Sequence, residues 1–190
     1  MVKSILVAAA LVVSASAHAS TSVGESIFAA QASQIKQAVM TEGLNWKVGD
    51  QCDYKLNLGG FLNGTMIMSI REVTADGTWM VQDVDLQIQK QKIEALIDTN
   101  TGEIKKLLVD GKEQAVPKND VEIVDQKQEQ VTVPAGTFDS IHITIKDKAN
   151  NGDLSEQWVN PRDIPIAGMV KSLSNSQIGK VTMELTSFKH

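Results

Sequence analysis

Apolar residues recur at every second position along most of the chain after Trp46, and this period of two is typical of β-strands with one buried face. Short runs in which Gly follows Asn or Asp separate the alternating segments. Such pairs suit tight hairpin turns, because both central residues of these turns adopt positive φ. The pattern therefore predicts a meandering antiparallel sheet. The alternating segments are residues 54–58, 66–70, 80–88, 93–97, 121–123, 131–133, 141–145 and 181–185.

The N-terminal part has a helical period instead. Ser22 and Glu25 match a capping box, in which each side chain accepts a backbone N–H at the start of a helix, and Gly43 suits a left-handed helix end. One apolar stripe lies between them: Phe28, Ala32, Ile35 and Val39. We therefore expect a mainly β protein, with a curved antiparallel sheet or open β-barrel and one N-terminal α-helix packed on it.

The first residues resemble a signal peptide. Lys3 precedes a short apolar run over residues 5–13, and Ala17-His18-Ala19 provides the small residues that signal peptidase accepts. We expect a signal peptide at 1–19, a helical segment at 20–45 and a single β-rich domain at 46–190. No later segment is apolar over the length of a membrane, so no transmembrane span is expected in the mature chain.

Composition narrows the function classes. The 190 residues suffice for one sizeable core, and 18 Lys and Arg against 23 Asp and Glu give a formal net charge of −5. This charge argues against nucleic-acid binding, which requires a basic surface. Cys52 is the single cysteine, so an intrachain disulfide is excluded. It shares a strand face with Tyr54 and Leu56, which favours a buried hydrophobic role.

Residues suited to catalysis or metal binding are sparse. Beyond the predicted signal peptide the histidines are His142 and His190, and no Gly-x-Ser-x-Gly motif is present. One cysteine and scattered histidines do not make a tetrahedral zinc site. Asp83 and Asp85 share a strand face, but paired carboxylates act as acid and base only where a pocket separates their pKa values. The sequence predicts no catalytic residues, no cofactor and no metal.

A short loop signature also has a simpler interpretation. Residues 147–153 contain several oxygen ligands and superficially resemble a calcium-binding loop. Ala149 occupies the third position, however, and Trp158 falls where a bidentate Glu is required. A hairpin turn at Asn151-Gly152 explains the segment better.

The most distinctive segment is Val-Pro-Ala-Gly-Thr-Phe-Asp at residues 133–139. It resembles a motif of uncharacterised exported bacterial proteins rich in β-structure. The segments Glu156-Gln157-Trp158-Val159 and Gly168-Met169-Val170-Lys171 follow in the same order as in those proteins. A more distant likeness, at the level of the fold, is to half-barrels that carry lipoproteins or lipids across the periplasm. The resemblance implies a bacterial protein that is periplasmic or secreted, and it transfers no catalytic residues.

These observations favour a non-catalytic exported binding module that holds an apolar or lipid-like ligand on the concave face of a curved sheet. Flexible methionine side chains adapt well to such ligands. The candidate ligand-binding residues, chosen by strand parity, are Met66, Met68, Ile70, Leu86 and Met183. The alternative is an envelope structural or protein-interaction domain without a small-molecule ligand. Its partner would be another envelope protein.

The signal-peptide assignment makes the first testable prediction. We expect export with cleavage after Ala19, because Lys3, the apolar run and Ala17-His18-Ala19 occur in the required order. N-terminal sequencing of the exported protein should read Ser20 first. An intact Met1 on the exported, soluble protein would contradict it.

Overall fold

The computed structural model describes Phe28 and residues 46–116, 121–148, 153–176 and 179–190. These residues form one open sheet of eleven antiparallel strands. The predictions of a mainly β protein and of an antiparallel sheet are therefore confirmed. The strands are β1 (Gln51–Leu58), β2 (Leu62–Thr74), β3 (Gly77–Asp85), β4 (Lys90–Ile97), β5 (Ile104–Val109), β6 (Lys112–Gln114), β7 (Val121–Val133), β8 (Gly136–Asp147), β9 (Asp153–Val159), β10 (Met169–Ser176) and β11 (Gly179–Lys189).

The strand order is β6-β5-β4-β3-β2-β1-β11-β10-β9-β8-β7. Strands that follow each other in the chain are paired, except β6 and β7, which form the two edges. The first strand, β1, pairs with the last, β11, from Gln51 opposite Lys189 to Leu58 opposite Val181. This pairing joins the half made of β1–β6 to the half made of β7–β11.

The predicted N-terminal helix is represented by a single described residue. Phe28 is helical, fully buried and part of the hydrophobic cluster of the sheet. The other residues of the predicted helix and the predicted signal peptide lie outside the described residues.

The strands of the first half bury one face in register, which we call the apolar face. Cys52 lies on this face and is fully buried, as its parity with Tyr54 and Leu56 predicts. Residues directly opposite one another on neighbouring strands form transverse rows across it. Three of these rows are Leu185–Tyr54–Met66–Val84–Gln91, Cys52–Met68–Gln82–Ile93–Val109 and Ile70–Met80–Ala95–Leu107.

Two local predictions about the strands are wrong. The alternation through residue 88 suggests a longer strand, but β3 ends at Asp85 and a tight turn follows. Gln87 has a φ of 66° there, so the alternation of faces stops and Ile88 is exposed, whereas Leu86 remains buried. In the sequence, the parity of the apolar positions changes between Phe138 and Ile141, which predicts a bulge near Asp139 and Ser140. Instead β7 and β8 stay in register there. The buried side of β8 changes along the strand, because Ser140 is buried in its first half, whereas Ile143 and Ile145 are buried in its second half.

The close approach of β2 to the end of β3 gives a second prediction. A Cβ added at Gly64 would lie 2.5 Å from the carbonyl oxygen of Asp85 and 2.8 Å from Cδ2 of Leu86. We expect Gly64→Ala to lower the free energy of unfolding by about 1–3 kcal/mol, because the strands must separate. The neighbouring exposed substitution Thr65→Ala should change it by less than about 0.5 kcal/mol. Urea unfolding of the two variants provides the comparison, and equal midpoints would contradict the prediction.

Candidate functional site on the apolar face

The structure brings the five candidate ligand-binding residues together. All are buried and belong to one hydrophobic cluster. The β2 residues lie beside β1 and β3, Leu86 packs over Gly64, and Met183 lies opposite Leu56 of β1. The residues are Met66, Met68, Ile70, Leu86 and Met183. Met80, which is not among the five candidates, lies opposite Ile70 and is equally buried.

A segment between β9 and β10 contacts this face at the Cys52 end of β1. We call residues 160–168 the strap. Ile164, Pro165 and Ile166 at its centre are buried. The thiol of Cys52 donates to the carbonyl oxygen of Pro165 at 3.3 Å, and the Tyr54 hydroxyl donates to that of Met169 at 3.1 Å. Proline has no backbone N–H and cannot donate a hydrogen bond to a neighbouring strand, so the segment with Pro161 and Pro165 leaves the sheet.

Hydrogen bonds within the strap join its two ends, and we call the junction of Asn160 and Gly168 the neck of the strap. The backbone amide of Asn160 donates to the backbone carbonyl oxygen of Gly168 at 2.7 Å. The backbone amide of Ile164 donates to the backbone carbonyl oxygen of Asn160 at 3.1 Å. The Asn160 side chain accepts from the amide of Asp163 and donates to the Asp163 carboxylate. Asn160 is itself buried, and its bonds to Asp163 and Gly168 stabilise the conformation of the strap.

Three consecutive residues at the C-terminal end of the strap have left-handed backbone. The φ angles of Ile166, Ala167 and Gly168 are 53°, 65° and 70°. The left-handed backbone conformation suits Gly but is unusual for a β-branched residue such as Ile. Each non-Gly residue held there costs on the order of 1–3 kcal/mol. At Gly168 a side chain is also excluded sterically, because a Cβ would collide with the backbone of Pro161.

Two fully buried polar side chains lie on the apolar face. Gln82 lies between Met68 and Ile93 and is fully buried. Thr78 is also fully buried, and its hydroxyl has no hydrogen-bond partner among the described residues. Parity already places Gln82 among apolar neighbours in Met80-Gln82-Val84. That signal could have added it to the candidate site.

The Cys52 thiol and the Tyr54 hydroxyl on the apolar face are not activated as nucleophiles. Burial raises the pKa of the Cys52 thiol to about 12, and the nearby Asp53 and Asp50 add to this effect. Burial likewise raises the pKa of Tyr54 well above its ordinary value. Both groups therefore stay protonated at neutral pH, and a thiol is a weak nucleophile in that form.

A transverse row of mostly polar residues crosses nine strands of the sheet. It includes ion pairs between Glu184 and both Lys55 and Lys171, at 2.8 Å and 3.0 Å, and between Asp85 and Lys90 at 2.9 Å. The hydrogen bond from Lys90 lowers the pKa of Asp85. Asp85 is therefore an ion-pair partner, as is typical of a solvated strand face. The row is Lys127–His142–Trp158–Lys171–Glu184–Lys55–Thr65–Asp85–Lys90.

His142 is fixed within this row. Its ring stacks on Trp158 with centroids 4.1 Å apart. Nδ1 lies 3.0 Å from Glu129 Oε1, and Nε2 lies 3.1 Å from Glu156 Oε2. Hydrogen bonds from Lys127 and Trp158 lower the pKa of Glu129. Across the described residues no group of three His, Cys, Asp or Glu side chains is arranged to hold a metal ion.

An open groove of about 490 Å³ lies where β1, β2 and β11 meet. The groove is lined by Lys55, Leu56, Asn57, Asn63, Gly64, Thr182 and Glu184. Its lining includes the charged side chains of Lys55 and Glu184, which form an ion pair. None of the five candidate residues belongs to it.

Comparison with known proteins does not assign the chain to a family. No family model matches it, and neither does any curated protein. The likeness to exported β-rich proteins through the segment at residues 133–139 therefore remains a prediction. Within the described part of the chain, no helix has the length and apolar character required to cross a membrane.

The strap makes a prediction about pH. Hydrogen bonds from Arg162 and Asn160 lower the pKa of Asp163 from 3.8 to about 2. A carboxyl with a lowered pKa stabilises the folded strap above pH 3.8, and this contribution is lost as the pH falls towards 2. The amide of Ile164 should therefore lose hydrogen-exchange protection between pH 5 and pH 2, after correction for its intrinsic rate.

An internal reference and a control variant separate this effect from unfolding. The amide of Met68 in β2 should stay protected over the same pH range. Asp163→Asn should remove the pH dependence at Ile164, because the amide does not titrate. Equal protection of Ile164 at both pH values in the wild type would contradict the assignment.

Proposed function

We propose that the protein is an exported, non-catalytic binding module that holds an apolar or lipid-like ligand against its apolar face. The observation that carries the proposal is the convergence of Met66, Met68 and Met183 with Ile70 and Leu86 in one buried cluster. Methionine adapts its shape to ligands at low cost. The buried side chains of Gln82 and Thr78 supply the few polar groups that orient a ligand in such a site.

The proposal requires that the sheet be curved, and chain length supports this. A flat sheet of eleven strands spans about 48 Å between its edge strands, at ~4.8 Å per spacing. Residues 115–120 connect the edge strands β6 and β7. Fully extended, the steps from Gln114 to Val121 cover at most about 25 Å. The sheet must therefore bend to bring its edges together.

A contact across the second half of the sheet supports the same curvature. The amide of Ala135, in the turn between β7 and β8, donates to the carbonyl oxygen of Leu185 in β11 at 3.1 Å. In the sheet order two strands separate β11 from β8, and three separate it from β7. Val131 and Val133 of β7 also join the hydrophobic cluster that contains Leu185. The turn thus folds back towards the centre of the sheet.

One observation favours the alternative, an envelope protein-interaction domain. Apolar side chains are exposed near one end of the β7–β9 region: Val121, Ile123, Val124 and Leu154. β7 is also an edge strand of 13 residues. Exposed apolar groups beside an open edge are typical of protein-binding surfaces. They do not involve the candidate ligand-binding residues.

Met68→Trp tests the proposed function. In a ligand cavity the larger ring occupies space that the ligand uses. We therefore expect near-wild-type stability and loss of binding of a fluorescent fatty acid, 11-(dansylamino)undecanoic acid. In a closed core the same change overpacks and lowers the free energy of unfolding by about 1–3 kcal/mol. Dansyl fluorescence titration and urea unfolding measure the two effects.

The neighbouring position provides the control. Ile67 is 41% exposed and points to the other face of β2, so Ile67→Trp should leave both stability and binding unchanged. A destabilised Met68→Trp variant, together with no binding by the wild type, would end the ligand-binding proposal. The protein-interaction alternative would then have the stronger support.

A further inference from the structure

We propose that the strap is the entrance gate of the apolar site, and that an apolar ligand enters when residues 160–168 lift from β1. This inference rests on the proposed function and adds a route of access to it. The strap covers Cys52 and lies next to Tyr54, and these β1 residues are directly opposite Met68 and Met66. Lifting the strap therefore gives access to two transverse rows, one with Met68 and the other with Met66.

Hydrogen bonds within the strap hold its two ends together, so its centre can leave β1 without separating them. Its neck is closed by hydrogen bonds between its own residues, from Asn160 to Gly168 and from Ile164 to Asn160. The Asn160 and Asp163 side chains bond to each other rather than to the sheet. The bond between Asn160 and Gly168 therefore keeps the two ends of the strap together while its centre lifts.

The attachment of the strap to β1 is apolar, with weak polar support. Ile164 and Ile166 are buried, and the polar contact from Cys52 to Pro165 uses a thiol, which is a weak donor. An apolar ligand can replace these contacts with its own hydrocarbon surface, so opening is compensated when a ligand is present. A polar anchor would not be exchanged in this way.

The backbone supplies a hinge at one end. Ile166 and Ala167 hold left-handed conformations that non-Gly residues rarely adopt. Strained residues that persist in a packed structure concentrate at clamps and switches. Rotation at these residues relieves the strain and moves the apolar centre of the strap, while Gly168 keeps the fit against Pro161.

The single cysteine allows a direct test. Pro165→Cys places a second thiol at the position whose carbonyl oxygen lies 3.3 Å from Cys52 Sγ. Cys52 is the only other cysteine in the chain, so an intramolecular disulfide must join strap to sheet. The variant is refolded under oxidising conditions, and its free thiols are counted before and after reduction. Ile166→Cys is the second variant, used if the first does not form the bond.

Binding kinetics of 11-(dansylamino)undecanoic acid then decide the proposal. We expect the oxidised variant to take up the probe at least tenfold more slowly than its reduced form, with recovery on addition of dithiothreitol. Cys52→Ser combined with Pro165→Cys is the control, because it receives the same redox treatment without forming the bond. Circular dichroism of both redox forms establishes that the sheet is intact.

The outcomes separate the two proposals. If the wild type and the reduced variant bind the probe and the oxidised variant binds it at the same rate, the strap is not the gate, and the proposed function stands. If the wild type binds no probe, the proposed function fails and the gate fails with it. Slow uptake by the oxidised form alone supports both.

Discussion

The pairing of β1 with β11 is the constraint on which the rest of the structure depends. It is the sole strand pairing between the two halves among the described residues. It places Leu56 opposite Met183 and Tyr54 opposite Leu185, so the apolar face runs unbroken through the centre of the sheet. On the polar side, Glu184 of β11 binds both Lys55 of β1 and Lys171 of β10. Cross-strand pairs of this kind fix the register at the join.

A one-layer sheet has to protect its apolar face from water, because burial of that face is the main driving force for folding. The protein uses several elements for this purpose. The strap covers β1, Phe28 belongs to the same buried cluster, and the turn at Ala135 approaches Leu185. The edges are treated differently: β6 has three residues, whereas β7 has 13. A short edge offers little backbone for aggregation.

Strand parity predicted the composition of the apolar face but not its arrangement. The period of two placed Met66, Met68 and Met183 on buried positions because each strand has one covered face. It failed at Ile88, because a left-handed residue at Gln87 ends the strand, and no local pattern announces that turn. Long-range pairing is not encoded locally either. The link between strap and Cys52 joins residues 113 positions apart, and no periodicity reports on such a contact.

The central position of the last strand has a consequence for biosynthesis. A chain made from its N-terminus can form the hairpins of β1–β6 early, but β1 lacks its second neighbour until β11 has been synthesised. Contacts between residues so distant in sequence form slowly, since a large loop must close first. The sheet therefore cannot be completed while the chain is still being extended. Until then β1 and β10 each have one unpaired edge, which is open to pairing with other chains.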